Sequence, residues 1–187
     1  MKNDTADTTA RNERLKEISR ITWLCCERDG FHRSLCPAFK TDEKEKAETL
    51  KRIGYASKEL KVHALQLNRL ERNRCGFSQV LGRNPTELEA VALSLLVAAR
   101  LDANCAGSVG SVGDVVTLCA SRRLDDAALV RSMFRADGSL NKLVVMAGTG
   151  MLLDERRAVL KESVFNRILG LTPDPIHELV AQMEWRR

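Results

Sequence analysis

Three segments of helical period precede two short β-branched runs set around a glycine turn, and a long amphipathic stretch comes before all of them. That order predicts a mainly α protein with a helical N-terminal region and a winged helix-turn-helix-like unit carrying a small β-hairpin. The expected division is 1–77 for the helical region, 78–171 for the winged-helix-like unit and 172–187 for a C-terminal helix or linker.

Residues 1–12 are polar and read as a frayed end. Arg14 to Glu27 carries Leu15, Ile18, Ile21, Trp23 and Leu24 at amphipathic spacing, and Asp29-Gly30 is expected to end this helix. Phe31 to Phe39, with Pro37, reads as a connector. Thr41-Asp42-Glu43 opens a long basic amphipathic helix, its acids matched to the positive end of the helix dipole. Ile53, Ala56, Leu60, His63, Leu67 and Leu70 follow steps of three and four, the spacing of a packing seam, despite Gly54. This seam is expected to pack on the chain's own domain and the helix to stop near Cys75-Gly76.

The second half opens on Asn84-Pro85-Thr86-Glu87, read as a cap at Asn84, proline at the first helical position and a capping box closed by Glu87. The following helix, through Leu88, Val91, Ala92, Leu95, Leu96 and Ala99 to about Arg100, is apolar round most of its circumference and is expected to be central and buried. Asn104 to Gly110 reads as a loop. Ser111-Val112-Gly113-Asp114 forms a second capping box before a short helix. Arg122-Arg123 is a turn, and Asp125-Asp126 starts a third helix with Leu129, Val130, Met133 and Phe134 expected on its inner face until Asp137-Gly138. Leu143 to Met146 and Arg157 to Lys161 read as the two strands, with Ala147 to Gly150 as their turn. Ser163 to Leu169 is a helix closed by Gly170, and Ile176 to Trp185 can form a last one.

Composition narrows the function classes. The 187 residues are 44% hydrophobic, enough for a packed core, but only 4% aromatic, so that core must be built from Leu, Val, Ala and Ile. The longest apolar run, Val91 to Ala99, is interrupted by Ser94 and falls far short of the roughly 20 residues that span a bilayer. Met1-Lys2-Asn3-Asp4-Thr5 lacks the apolar centre of a secretory signal, so a cytoplasmic protein is expected. Residues 1–82 hold 17 Lys and Arg against 12 Asp and Glu, whereas residues 83–187 hold 13 of each. The whole excess of +5 therefore lies in the first half, where it reads as a solvated helical surface.

No catalytic residue, cofactor or metal is assigned. Gly107 to Gly113 is glycine-rich, but a phosphate loop needs a following lysine to reach the outer phosphates, and none follows. Cys26-x5-His32-x3-Cys36 supplies three candidate zinc ligands. Cys25 adjoins one of them, and a fourth ligand would have to come from distant Cys75 or His63, so scattered thiols in an apolar interior are the expected state of the cysteines. The three histidines, His32, His63 and His177, do not sit in a hydrolase pattern. The pairs Asp125-Asp126 and Asp154-Glu155 fall where caps and turns favour acids.

Three stretches carry a family resemblance: Glu87 to Leu101, Arg131 to Leu143 with Asp137-Gly138-Ser139-Leu140 as its small-residue turn, and Arg157 to Gly170 ending in Ile168-Leu169-Gly170. Through them, residues 78–171 resemble a winged-helix-like region that precedes the ATPase module in some bacterial AAA+ ATPases. The resemblance implies a stand-alone relative or the front piece of such a protein, with an AAA+ ATPase module as a partner. ATP hydrolysis is not carried over, because no Gly-x-x-x-x-Gly-Lys-Ser/Thr occurs in the 187 residues. The expected function is a non-catalytic protein-interaction or regulatory adaptor. The alternative is a DNA-binding winged helix, whose contacts would be Arg122, Arg123, Arg131, Arg135, Arg156 and Arg157. Against it stands the third helix, which opens with two acids where it would approach a polyanion.

Overall fold

The computed structural model describes residues 3–36, 42–70, 76–102, 105, 107, 109–121, 123–148 and 152–171, without the side chains of 3–7. The expected helix over 176–185, His177, Cys75, Asn104 and Arg122 lie outside the described residues. The architecture is mainly helical with one small antiparallel sheet, as the sequence predicts. No helix among the described residues is long and apolar enough to cross a membrane.

Helix α1 spans Asn3–Ser34, longer at both ends than the amphipathic pattern predicts. Gly30 does not stop it. Arg28 Nη2 donates to the carbonyls of Leu118 (2.6 Å) and Cys119 (3.0 Å), His32 Nε2 lies 2.8 Å from Ser121 Oγ, and Arg33 pairs with Asp29 at 2.7 Å. These fixed points straddle Gly30 and offset its helix penalty of roughly 1 kcal/mol. The connector expected over Phe31 to Phe39 accordingly begins later, because Phe31 to Ser34 are helical.

Helix α2 spans Glu43–Leu70, begun by Asp42, whose carboxylate accepts from the Glu45 N–H. It runs antiparallel to α1, since Glu17 meets His63 at 2.7 Å while Phe31 lies beneath Arg52 at the opposite end. The seam packs inward as expected, with Ala56, Leu60, Ala64 and Leu67 buried. His63 is half-buried against the Glu17 carboxylate.

The short helix α3, Phe77–Leu81, buries Phe77 and leads through Gly82 (φ 71°) into α4, Glu87–Leu101. The cap of α4 lies two residues beyond the expected Asn84. Thr86 Oγ1 accepts from the Glu89 N–H at 3.2 Å, and Glu89 accepts from the Thr86 N–H at 2.9 Å. The same tetrapeptide spacing occurs at Thr86-Glu87-Leu88-Glu89, and this register wins because it lets Glu89 also take both nitrogens of Arg83. Every residue from Glu89 to Ala98 is buried, which makes α4 the central helix, as its all-round apolar pattern predicts. Ser94, the polar break in that run, returns its hydroxyl to the Ala90 carbonyl at 2.7 Å.

Helix α5, Val112–Ala120, starts at the expected Ser111–Asp114 capping box. Helix α6 spans Leu124–Met133, and β1 (Val144–Ala147) pairs antiparallel with β2 (Arg157–Leu160) in the register Val145↔Val159 and Ala147↔Arg157. Helix α7, Glu162–Leu169, ends at Gly170 in the left-handed conformation. Arg100 ties α4 to this end of the wing: it donates to the Leu160 carbonyl, pairs with Glu162 and stacks over Phe165. One hydrophobic core runs from Ile18 and Leu60 through Leu95 to Leu160 and Ile168, so α1 and α2 share their interior with the winged-helix-like unit.

Two glycines make opposite predictions. A Cβ at Gly138 would sit 2.2 Å from the Met133 carbonyl oxygen, which already accepts from the Leu140 N–H at 2.9 Å. Gly138→Ala is therefore expected to destabilise by about 3 kcal/mol, because backbone must move. At Gly30 nothing lies within 4 Å of the added carbon, so Gly30→Ala should stabilise by up to about 1 kcal/mol. Urea denaturation of the two variants checks both signs.

Candidate interface on the third helix and wing

In a winged helix the third helix and the hairpin form the face that meets a macromolecule. Here α6 turns Val130 and, just beyond its end, Phe134 into the core, with Met133 half-buried. Leu129, expected on the inner face, is 54% exposed. Adjacent Leu129 and Val130 lie about 100° apart on a helix, and the core takes only Val130. The outer arc consists of Leu124, Asp125, Ala128, Leu129, Ser132 and Arg135, all exposed, with Leu124 at 86%. On the hairpin, pleating puts Val145, Ala147 and Arg157 outward and buries Val144, Ala158 and Leu160.

Among the described residues the arginines of the nucleic-acid alternative have different surroundings. Arg122 is outside the described residues. Arg123 pairs with Asp126 at 3.3 Å. Arg131 is turned to the wing, where its Nε donates to both Asp154 oxygens (3.0 and 2.9 Å) and its Nη2 stands 2.8 Å from Asp154 Oδ2. Arg156 is half-buried, and its carbonyl accepts from the Val112 N–H at 2.9 Å. Arg135 and Arg157 are exposed. The Arg131–Asp154 bridge and the contact of the Leu153–Glu155 turn with the start of α5 hold the wing against the helices. A Cβ at Gly113 would meet the Asp154 carbonyl oxygen at 2.9 Å, so the two backbones touch there.

Cys25, Cys26 and His32 lie on α1, and Cys36 lies just beyond its end. Cys25 is fully buried, and desolvation pushes its thiol up to about 12. Cys119 is also buried, and its thiol is likewise raised by desolvation. His32 instead faces Ser121. Among the described residues no group of three or more His, Cys, Asp or Glu side chains is arranged to hold a metal ion.

Two hollows lie elsewhere. One of about 430 Å³ between α1 and the end of α4 is walled by Leu15, Ile18, Thr22, Trp23, Ala98 and Leu101, mostly carbon. The other, about 300 Å³, holds Arg28, Lys58, Lys61, Glu87, Arg123 and Asp126. Its charges are largely matched: Arg28 caps α5, Lys61 lies 3.9 Å from Glu87, and Arg123 lies 3.3 Å from Asp126.

The site residues that sequence reasoning missed are Leu124 and Leu129. The only signal for Leu124 was its place just before the acidic cap, and for Leu129 the impossibility of burying two adjacent residues on one thin helix face. Fold and surface together define a mainly helical protein with a winged-helix-like second half whose outward face is apolar and mixed in charge. Comparison with family models, with curated proteins and with solved structures finds no match.

Proposed function

We propose that the chain is a non-catalytic protein-interaction or regulatory domain acting in the cytoplasm, and that α6 and the wing form its contact face. The observation that carries this reading is the outer arc of α6: Leu124, Ala128 and Leu129 are exposed there while Arg131 is held by Asp154. Exposed apolar side chains grouped on one face favour a protein partner. A nucleic-acid face would need cations that release counterions from phosphate, and this arc presents Asp125 at its start and Arg135 just past its end. An AAA+ ATPase module is the partner to try first, since residues 78–171 resemble the region that precedes such modules. ATP itself is expected not to bind.

The test uses the full chain, because the core crosses from α1 and α2 into the winged-helix-like unit. A photo-crosslinking residue placed at Leu129 in cells should give a discrete protein adduct that Leu124→Asp removes without loss of folding. Fluorescence anisotropy with random and selected duplexes should show no sequence-dependent binding at about 0.15 M salt, where non-specific binders give dissociation constants near 10⁻⁴–10⁻⁶ M. Tight, sequence-dependent binding lost in Arg135→Ala or Arg157→Ala would instead establish the DNA-binding alternative.

A further inference from the structure

The outward side of α2 carries a second surface. Opposite its buried seam run Lys51, Tyr55, Lys58, Val62, Leu65 and Arg69, in steps of four and three. All six are exposed, with Tyr55 at 62%, Val62 at 53% and Leu65 at 51%. Such spacing keeps side chains on one line of a helix, here over roughly 27 Å at 1.5 Å per residue. Of the nearby acids, Glu48, one step before Lys51, is paired with Arg52 at 3.6 Å, and Glu59 lies 3.8 Å from His63 on the side facing α1. From Lys51 to Arg69 the stripe carries three apolar and three cationic groups and no carboxylate.

We infer that this stripe docks an acidic amphipathic α-helix of another protein, about five turns long, with apolar residues against Tyr55, Val62 and Leu65 and carboxylates against Lys51, Lys58 and Arg69. Charge complementarity selects this occupant. A second copy would bring three cations and no carboxylate against the same set, which repels. An anionic bilayer takes a helix whose apolar face is flanked by cations, whereas here cations interrupt the apolar line itself. A nucleic-acid backbone would find three apolar side chains along the centre of its contact. An acidic helix satisfies both kinds of position at once, as interhelical seams with charged flanks do. The inference rests on the exposed line of α2, although Lys58 shares the hollow of about 300 Å³ with Arg123 and Asp126 at the start of α6.

The probe is a fluorescent 21-residue peptide with Leu at seam positions and Glu beside them, and the control is the same composition scrambled to remove the stripe. Full-length protein should bind the first, with amide shift perturbations confined to the outer positions of α2, and not the second. Lys58→Glu combined with Val62→Asp should weaken binding by about tenfold or more. Both sites are exposed, so unchanged circular dichroism and melting serve as the folding check, and Leu124→Asp should leave peptide binding untouched. Equal binding of the scrambled peptide, no binding at all, or binding that survives the double variant overturns the inference. Vesicles of phosphatidylcholine and phosphatidylserine and a 25-base-pair duplex are run alongside. If one of these, rather than the peptide, is the species whose binding the double variant abolishes, the occupant was chosen wrongly.

Discussion

Replacing Leu95 by alanine is expected to destabilise the protein by about 2–5 kcal/mol. Leu95 is fully buried at the middle of α4, the helix that touches α1, α2, α5, α6 and β2. Truncation there removes transferred apolar surface and leaves a cavity among elements braced from several sides, so relaxation into it is limited. The exposed Leu129 supplies the contrast, and Leu129→Ala should change stability by no more than about 0.5 kcal/mol. Urea denaturation of both variants measures the difference. A Leu95→Ala loss near zero would remove α4 from the centre of the fold.

The second large effect is expected at Glu89. This carboxylate is buried at the first turn of α4, where it accepts from the Thr86 N–H and from two Arg83 nitrogens at 2.8 and 2.5 Å. Burial alone would push its carboxyl up. The hydrogen bonds from Arg83, from Ser139 and from the Thr86 backbone outweigh burial and hold it down to about 2, against an ordinary 4.5. Because the folded value lies below the unfolded one, the stabilisation is present in full above about pH 4.5 and is lost as the pH falls toward about 2. Glu89→Ala leaves the Thr86 N–H and the Ser139 hydroxyl without their acceptor, while the half-exposed Arg83 guanidinium can turn to water, and should cost about 1–3 kcal/mol at neutral pH. Glu89→Gln keeps an acceptor but no charge, and should flatten the acid limb of the stability curve. Denaturation midpoints followed from pH 7 to pH 2 separate the two. An acid limb in Glu89→Gln as steep as in the parent would show that other carboxylates carry it.

The central position of α4, the seam of α2, the second capping box, the hairpin and the left-handed stop at Gly170 were legible because each rests on local periodicity or a local side-chain geometry. Val91, Leu95 and Leu96 recur at a helical period whatever lies around them. Ser111 and Asp114 find each other within three residues. The candidate face was less legible. Arg131 reads as a surface cation until Asp154, 23 residues away, is brought beside it by the wing.

By itself, then, the sequence determined most of the helices and both strands, that α4 would be buried, and that the positive charge would gather in the first half, but neither α3 nor the first and last turns of α1. These follow from spacing, capping chemistry and composition, which act over a few residues. Only the tertiary structure decided that α1 would pass through Gly30, because the stops that compete with that glycine are carbonyls at Leu118 and Cys119, some 90 residues away. It also decided which of Leu129 and Val130 would face the core, and that the outward line of α2 is exposed among the described residues. Local spacing leaves such choices open, and contacts between elements distant in the chain, such as Arg28 with the Leu118 and Cys119 carbonyls, close them.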